Sequence, residues 1–242
     1  MPILSAEAVT AGYGGAPIVQ EVGAELEAGQ VVAIVGPNGA GKSTFLKSLF
    51  GLIPKSGGTV VVDGQDMTRW RPHVIARSGM AYIPQVENIF PSLSVVENLE
   101  MGGYVRKDDL RQRVGEVLDI FPDLQKARRA KGGNLSGGQK NMLAMARGLM
   151  LSPKVVLLDE PTAGLSPTYT QVVWQQIQRV AATGAGVIVV EQNVDLAIVH
   201  ADHVYVLVAG RNRMDGPAPD MQRVDLGSIF LGHDGAIQPS PA

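Results

Sequence analysis

Four side chains that follow hydrophobic runs have the chemical types needed to bind and cleave a phosphate group. Lys42 and Ser43 close a glycine-rich loop, and Asp159 and Glu160 come directly after the apolar residues 155–158. A lysine amine can neutralise phosphate oxygens, serine and aspartate oxygens suit Mg²⁺, and a glutamate can position or deprotonate an attacking water. A strand that ends in a solvated acidic turn would also explain Asp159 and Glu160. The chemistry therefore depends on whether the two pairs meet.

The glycine-rich loop has the spacing G-x-x-x-x-G-K-[ST] and lies between the apolar run Val31–Val35 and a helical pattern at residues 45–50. Glycines let backbone N–H groups turn inward around a phosphate, and the start of the following helix adds a favourable partial charge. An ordinary glycine turn is the alternative in a chain with 29 glycines. The residues predicted to form this phosphate loop are Gly36, Pro37, Asn38, Gly39, Ala40, Gly41, Lys42, Ser43 and Thr44.

Composition excludes several other classes of site. The chain has 242 residues, 21 basic and 23 acidic residues, and a net charge of −2, so nothing indicates a basic surface for nucleic acid. The absence of cysteine excludes disulfides and thiolate metal sites and is compatible with a reducing cytoplasm. The start of the chain does not resemble a signal peptide, and the apolar runs are far shorter than the ~20 residues that span a bilayer. If the protein works at a membrane, we expect another chain to hold it there.

The strands and helices that must position these side chains are predicted to form an α/β fold. Apolar runs at residues 155–158, 186–190 and 204–208 predict buried parallel strands, with helices at about 168–182 and 194–199 between them. Shorter strands are predicted within residues 3–35, at 57–63 and at 80–83, and a short helix at 71–77. We predict a P-loop fold with a mainly parallel core sheet and an N-terminal antiparallel β subdomain.

An all-helical block interrupts this pattern, because strand signals vanish between residues 94 and 151. Ser94 and Glu97 match a capping box, and a second helix is predicted at about 109–120, ending before Pro122. We expect one domain over residues 1–234, with an inserted α-helical subdomain at about 92–151. Residues 235–242 contain two prolines and no apolar period, and they are predicted to form a disordered tail.

Two further stretches are ambiguous on their own. Tyr13 lies among glycines that leave its ring free to stack on a planar partner, although simple packing more often explains a tyrosine in a loop. The signature segment (residues 135–139) contains Ser136 and Gln139 in capping-box spacing around Gly137 and Gly138. A well-capped helix explains the outer pair. The two glycines favour close approach of a ligand to the backbone, and a phosphate suits the start of a helix.

Taken in order, the phosphate loop, Gln85, the signature segment, the acidic strand end and Gln192 resemble the ATPases of ABC transporters over nearly the whole chain. The resemblance implies a head-to-tail dimer with two ATP molecules, each between one subunit's phosphate loop and the other's Ser136, Gly137, Gly138 and Gln139. It implies that Tyr13 stacks on adenine and that residues 164–167 cross the dimer interface. It also implies that Glu160, Gln192 and Gln85 serve catalysis, and that Ser43, Gln85 and Asp159 hold Mg²⁺.

One position departs from the general pattern of these ATPases, most of which carry a histidine where this chain has Gln192. A glutamine amide can donate a hydrogen bond to a γ-phosphate but cannot carry charge. With glutamine at this position and with residues 97–104 and 229–232, the sequence resembles the ATPases of branched-chain amino-acid importers. That resemblance implies a second ATPase subunit, two membrane subunits, a solute-binding protein and a peripheral location on the cytoplasmic face of the membrane. Importers of urea and short amides have similar ATPases and remain an alternative.

Two other classes of function compete with transport. ABC ATPases that act on nucleic acid share the signature, but they need coiled-coil or zinc-bearing insertions, for which this chain has neither heptads nor cysteines. A non-hydrolytic interaction module is disfavoured by the intact Lys42, Asp159 and Glu160. We expect no nucleic-acid partner. Candidates for the surface that receives the membrane subunit are Val86, Glu87, Asn88, Ile89 and Phe90.

Overall fold

A computed structural model describes residues 1–86 and 88–230 of the chain. Its strands are β1 (Leu4–Ala11), β2 (Val19–Leu26), β3 (Val31–Val35), β4 (Lys55–Val62), β5 (Gln65–Asp66), β6 (Met80–Ile83), β7 (Val155–Asp159), β8 (Gly186–Val190), β9 (His203–Val208) and β10 (Arg211–Pro217). Its α-helices are α1 (Lys42–Leu49), α2 (Pro72–Arg77), α3 (Val95–Gly102), α4 (Leu110–Ile120), α5 (Pro122–Lys126), α6 (Gly137–Leu149), α7 (Pro167–Ala182), α8 (Val194–His200), α9 (Ala218–Met221) and α10 (Leu226–Phe230).

The strands form two sheets. A four-stranded antiparallel sheet has the order β2-β1-β4-β5, and a six-stranded core sheet has the order β10-β9-β3-β8-β7-β6. Within the core sheet the pairs from β9 to β6 are parallel, and only β10 joins it antiparallel. The expected mainly parallel core and N-terminal antiparallel sheet are confirmed.

The continuous hydrophobicity of the central strands has a simple cause, because both faces of the core sheet are covered. Alternate residues of β3 and β7 belong to two hydrophobic clusters, so that Ala33 and Val156 face one cluster while Val32 and Leu157 face the other. The first cluster is closed by α6 and α7, and the second by α1 and the antiparallel sheet. This arrangement places the ends of β3, β7 and β8 at one edge of the sheet, where ligands bind in such folds.

Several boundaries differ from the sequence prediction. The strand expected at residues 57–63 begins at Lys55, which pairs with Ala11, and Asp63 lies in a turn with φ 50°. The helix predicted to end before Pro122 does so, but α5 begins at Pro122 itself, the first helical position that proline tolerates. Strand β10 was not predicted because Arg211, Arg213 and the residues between them are polar.

The helical block contains α3 to α6, and the capping box expected at its start is present. Ser94 and Glu97 form a reciprocal capping box at the start of α3, and buried residues of α4 include Val114, Val117 and Leu118. Among the described residues, no helix combines the length and the apolar character that crossing a membrane would require. The predicted tail at residues 235–242 lies outside the described residues.

Candidate functional site

The phosphate loop follows β3 and leads directly into α1. At Gly36 a side chain is impossible, because an added Cβ would lie 2.0 Å from the carbonyl oxygen of Leu207 in β9. Gly41, the residue before α1, has φ 95°, and an added Cβ would lie 2.8 Å from Val19 Cγ1. These two glycines therefore let the loop turn tightly between neighbouring strands. No described side chain caps α1, so its first N–H groups face the loop without a side-chain acceptor.

Lys42 lies inside this loop rather than in solvent. Its side chain is buried, and Nζ donates to the carbonyl oxygens of Gly36 at 2.8 Å and Pro37 at 3.1 Å. Burial lowers the pKa of the Lys42 amine, whereas the carboxylates of Glu160 and Asp159 oppose that shift. The carbonyl contacts hold the amine at the mouth of the loop, from which it can turn to phosphate oxygens when a ligand enters.

An open depression of about 400 Å³ lies over the phosphate loop, lined by residues 38–44, Ile18 and Glu160. Ile18 belongs to the connection between β1 and β2 that also carries Tyr13. The Tyr13 side chain is 64% exposed, so its ring is available to an external partner rather than used in the core. The position of Tyr13 on this connection is compatible with the predicted stacking on adenine, which stays a prediction.

The phosphate loop and the acidic end of β7 are in direct contact, as predicted. Ser43 Oγ donates to Asp159 Oδ1 at 2.7 Å, and the Tyr82 hydroxyl in β6 donates to Asp159 Oδ2 at 3.0 Å. Burial raises the pKa of the Tyr82 hydroxyl and the neighbouring Asp159 carboxylate adds to the shift, which keeps this hydroxyl a donor. Both oxygens of the buried Asp159 are thereby oriented, and the Ser43 hydroxyl and the Asp159 carboxylate form a pair of adjacent oxygen groups.

Glu160 is held at the same edge of the sheet by two amides. Gln85 Nε2 donates to Glu160 Oε2 at 2.9 Å, and Gln192 Nε2 donates to the same oxygen at 2.7 Å. The backbone of Glu160 has the left-handed φ of 48°, and its N–H donates to Val190 O at 2.9 Å. The three residues predicted to serve catalysis are therefore in direct contact, although they lie on three different strand ends.

Sequence reasoning missed two polar groups of this site. Tyr82 was read only as part of a buried strand, and its sole signal was a phenol with a polar tip at the end of that run. Glu191 is not singled out by the sequence motifs, yet its buried side chain accepts hydrogen bonds from Thr162. The available signal is an acidic residue directly after the apolar run of β8, just as Glu160 directly follows β7.

The signature segment forms the start of α6 with a complete capping box. Ser136 Oγ accepts from Gln139 N at 3.3 Å, and Gln139 Oε1 accepts from Ser136 N at 3.0 Å. The predicted approach of a ligand to the backbone of these two glycines stays a prediction. An added Cβ at Gly138 would lie 2.5 Å from the ring of Tyr169, so packing within the chain also favours glycine there, whereas at Gly137 the contact is an ordinary 3.4 Å.

The phosphate loop and the signature segment are not brought together. Among the described residues, no hydrogen bond joins residues 36–44 to residues 135–139, and the depression over the loop has no lining residue from the signature segment. Residues 164–167, predicted to cross a dimer interface, comprise the end of the loop before α7 and its first residue, and a Cβ added at Gly137 would lie 3.4 Å from Leu165 Cδ2.

The surface predicted to receive a membrane subunit is partly exposed. Val86 is 67% and Phe90 41% exposed, whereas Asn88 is buried and donates to Pro84 O. The Arg147 guanidinium lies 5.0 Å from the centre of the Phe90 ring, a cation–π arrangement. Glu87 lies outside the described residues.

The remaining aromatic and histidine residues have structural surroundings. Trp174 is fully buried and stacks on His200, with ring centres 5.2 Å apart. His203 contacts Asp215 at 3.0 Å on the neighbouring strand. His233 lies outside the described residues.

Comparison with known proteins gives a consistent result. A family model described as ABC transporter matches residues 19–163. A probable branched-chain amino acid transport ATP-binding protein, LivF, from Archaeoglobus fulgidus is 40% identical over 88% of this chain and 91% of the relative. The high-affinity branched-chain amino acid transport ATP-binding protein BraG from Pseudomonas aeruginosa is 38% identical over 86% of this chain and 90% of the relative.

Two further comparisons extend over almost the whole chain. The lipopolysaccharide export system ATP-binding protein LptB from Escherichia coli K12 is 32% identical over 97% of this chain and 99% of the relative. The crystal structure of an ATP-binding cassette of an ABC transporter in its ADP conformation has a TM-score of 0.88 over 96% of this chain and 98% of that chain. At 24% identity, this structural likeness supports the fold alone.

Proposed function

The chain belongs to the ABC transporter family of ATPases, and from that premise we propose that its phosphate loop and three strand ends bind Mg²⁺–ATP and hydrolyse it to drive an importer of branched-chain amino acids. One observation carries the hydrolytic assignment. Gln85 and Gln192 both donate to Glu160 Oε2, beside the Ser43–Asp159 pair. A carboxylate fixed next to a phosphate site is the arrangement that activation of a water requires.

The residues present fit a magnesium ion. Mg²⁺ prefers oxygen ligands and keeps several waters, and it is usually held by one or two protein groups together with substrate phosphates. We assign the Ser43 hydroxyl and the Gln85 amide oxygen as ligands, since Gln85 Nε2 is already used by Glu160. Asp159 would help to hold the ion from beside Ser43, whose hydroxyl donates to its Oδ1. When bound, the ion neutralises charge that develops on the β- and γ-phosphates.

Glu160 acts as the base in this proposal. Both amides donate to Oε2, and no described residue donates to Oε1, which is therefore the oxygen that accepts the proton of an attacking water. Lys42 binds the β- and γ-phosphates after its amine leaves the carbonyl oxygens of Gly36 and Pro37. Gln192 orients Glu160 and donates to the γ-phosphate in place of a charged imidazole.

The test of these roles is a pair of substitutions measured in the assembled transporter. Glu160→Gln removes the base but keeps the size of the side chain, and we expect the ATP turnover of this site to fall by about 10²-fold or more, with ATP affinity retained. Gln192→His keeps a donor at its position, and we expect turnover to change by less than about fivefold. Turnover that is unchanged in Glu160→Gln would contradict the assignment of the base.

A complete site needs a second chain in this proposal. The signature segment is fully folded at the start of α6, yet it lies apart from the phosphate loop of its own chain. A head-to-tail dimer would bring the Ser136 hydroxyl, the Gln139 amide and the N–H groups of Gly137 and Gly138 onto ATP bound by the partner. We propose that the partner is a second, related ATPase, and size measurement with and without ATP in the Glu160→Gln background tests for dimer formation.

We further propose that the exposed apolar side chains of Val86, Phe90, Met101 and Tyr104 face two membrane subunits, which would place the protein peripherally on the cytoplasmic side of the membrane. Buried Asn98 supports this surface, because it bonds both backbone polar groups of Phe90. Phe90→Asp is expected to prevent co-purification of the membrane subunits while ATP binding to the full chain is retained. Val199→Asp, which changes a more exposed apolar residue on α8, serves as the control. Normal assembly of Phe90→Asp would contradict this placement.

The proposed substrate class rests on the named relatives and on the resemblance at Gln192. A solute-binding protein and the membrane subunits would select the solute, so the decisive measurement uses the co-purified complex. We expect leucine, isoleucine or valine, presented by the binding protein, to stimulate ATP hydrolysis. Stimulation by urea or a short amide instead would move the chain to the competing importer class.

A further inference from the structure

The structure points to a role for Glu191, a buried acidic residue that none of the proposed chemical steps uses. Its side chain is only 3% exposed. Burial raises the pKa of the Glu191 carboxyl, and nearby Glu160 adds to the shift. A buried acidic group in a protein is costly unless it is fully hydrogen-bonded. The contacts of this side chain therefore indicate what it is for.

Within residues 1–86 and 88–230, each hydrogen bond to the Glu191 side chain comes from Thr162 or Gln192, which lie on segments next to Glu160. Its Oε1 accepts from the Thr162 hydroxyl at 2.8 Å and from the Thr162 N–H at 3.1 Å, two residues after Glu160. Its Oε2 accepts from the N–H of Gln192 at 3.3 Å. Gln192 in turn donates to Glu160. Glu191 thus contacts the chain on both sides of the carboxylate assigned as the base.

The backbone of Glu191 adds a third connection. Its N–H donates to Ile34 O at 3.2 Å, in the strand that leads into the phosphate loop. Glu191 directly follows β8, and its side chain bonds Thr162, which follows β7. Next to it, the N–H of Glu160 donates to Val190 O. Glu191 therefore links the ends of β3, β7 and β8, which lead to the phosphate loop, Glu160 and Gln192 respectively.

The hydrogen bonds between Thr162 and Glu191 restrain the turn that follows Glu160. Residues 160–163 form a tight turn with Ala163 N donating to Glu160 O at 3.2 Å, and Glu160 itself has a left-handed φ. A non-glycine residue in this conformation is retained only when its surroundings hold it. The two hydrogen bonds from Thr162 to Glu191 supply that restraint from the buried side.

We infer that Glu191 is a positioning residue for ATP hydrolysis: through Thr162 and Gln192 it holds Glu160 in the orientation needed to accept a proton from the attacking water. This inference rests on the proposed role of Glu160. It assigns no contact between Glu191 and the nucleotide, because the side chain is covered by Thr162 and the strand ends.

The test is steady-state ATP hydrolysis by the full chain in its assembled transporter. Glu191→Met keeps a side chain of similar length and removes both acceptors, and misplacement of a catalytic group by about 1 Å can cost as much as 10²-fold in rate. We expect kcat to fall about tenfold or more, while the KM for ATP stays close to the wild type. Glu191→Gln retains an oxygen that can accept both Thr162 donors and is expected to restore most of the turnover.

A second variant keeps the proposal open to refutation if Glu191→Met does not fold. Thr162→Val removes one hydroxyl, and we expect it to lower kcat severalfold without a change in KM. Combined with Glu191→Met, it should add little, because both changes remove the same contact. A kcat within twofold of wild type in Thr162→Val, equal losses in kcat and ATP affinity, or fully additive effects would each overturn the inference.

The Glu160→Gln variant is measured alongside. If it leaves turnover unchanged, the assignment of the base has failed, whereas if it alone abolishes turnover, only the role of Glu191 has failed.

Discussion

Two helix starts in this molecule look alike in sequence but are built differently. The phosphate loop leads into α1 through Gly41, without a capping side chain among the described residues, and its lysine folds back on loop carbonyls. The signature segment leads into α6 with the side chains of Ser136 and Gln139 bonded to each other's backbone. Among the described residues, the first start has no capping side chain, whereas in the second a capping box binds the N–H groups of Ser136 and Gln139 and leaves those of Gly137 and Gly138 without a side-chain acceptor. The two starts therefore differ in how much of the helix end the chain itself satisfies.

The difference has a consequence for how each segment meets ATP. The phosphate loop depends on a ligand for its hydrogen bonds, so the same chain should bind nucleotide through it. The signature segment is already folded, so it can be presented to a second chain without a cost of ordering. Three pairs of substitutions test this contrast.

The largest effect is expected at the phosphate loop. Lys42→Ala removes a charged donor from the phosphates, and since hydrogen bonds to charged groups contribute about 1.5–3 kcal/mol, ATP affinity should fall by roughly 10- to 150-fold. Equilibrium binding of ATP to the isolated full chain measures this change. Lys47→Ala, on the last turn of the same helix, is the control and should bind ATP within twofold of wild type. An equal loss in both variants would mean that Lys42 acts only through the stability of α1.

An intermediate effect is expected at the two glycines of the signature segment. Gly138→Ala places a methyl group against the ring of Tyr169, and overpacking of this kind costs about 1–3 kcal/mol. Gly137→Ala meets only an ordinary contact with Leu165 and should be neutral. Denaturant unfolding of the two variants measures the free energy of unfolding. If Gly138→Ala is as stable as Gly137→Ala, the close packing on Tyr169 is not what requires the glycine.

The smallest effect is expected from the capping serines. Ser136→Ala and Ser94→Ala each remove one capping box, and each should lower the free energy of unfolding by about 1 kcal/mol. Only Ser136→Ala should also reduce ATP hydrolysis by the assembled dimer, because we propose that its hydroxyl contacts the partner's nucleotide. Equal hydrolysis in both variants would reduce the signature segment to an ordinary capped helix.

Much of this arrangement could be predicted from local patterns. The phosphate loop, the acidic end of β7 and the buried parallel strands are each encoded within a few consecutive residues. What could not be predicted depends on contacts between distant segments. The Ser43–Asp159 bond joins residues 116 positions apart, and the Tyr169 ring fills the space of a side chain that Gly138 lacks. Strand β10 was missed because its pairing with β9, rather than its polar composition, makes it a strand.

The left-handed conformation of Glu160 has a consequence for how this position can change. For a residue with a side chain this conformation costs about 1–2 kcal/mol, which a glycine would avoid. Glycine, however, has no carboxylate. The residue that best suits the backbone is therefore not one that could act as the proposed base. If Glu160 has that role, the proposed site is built at a cost to the stability of the fold.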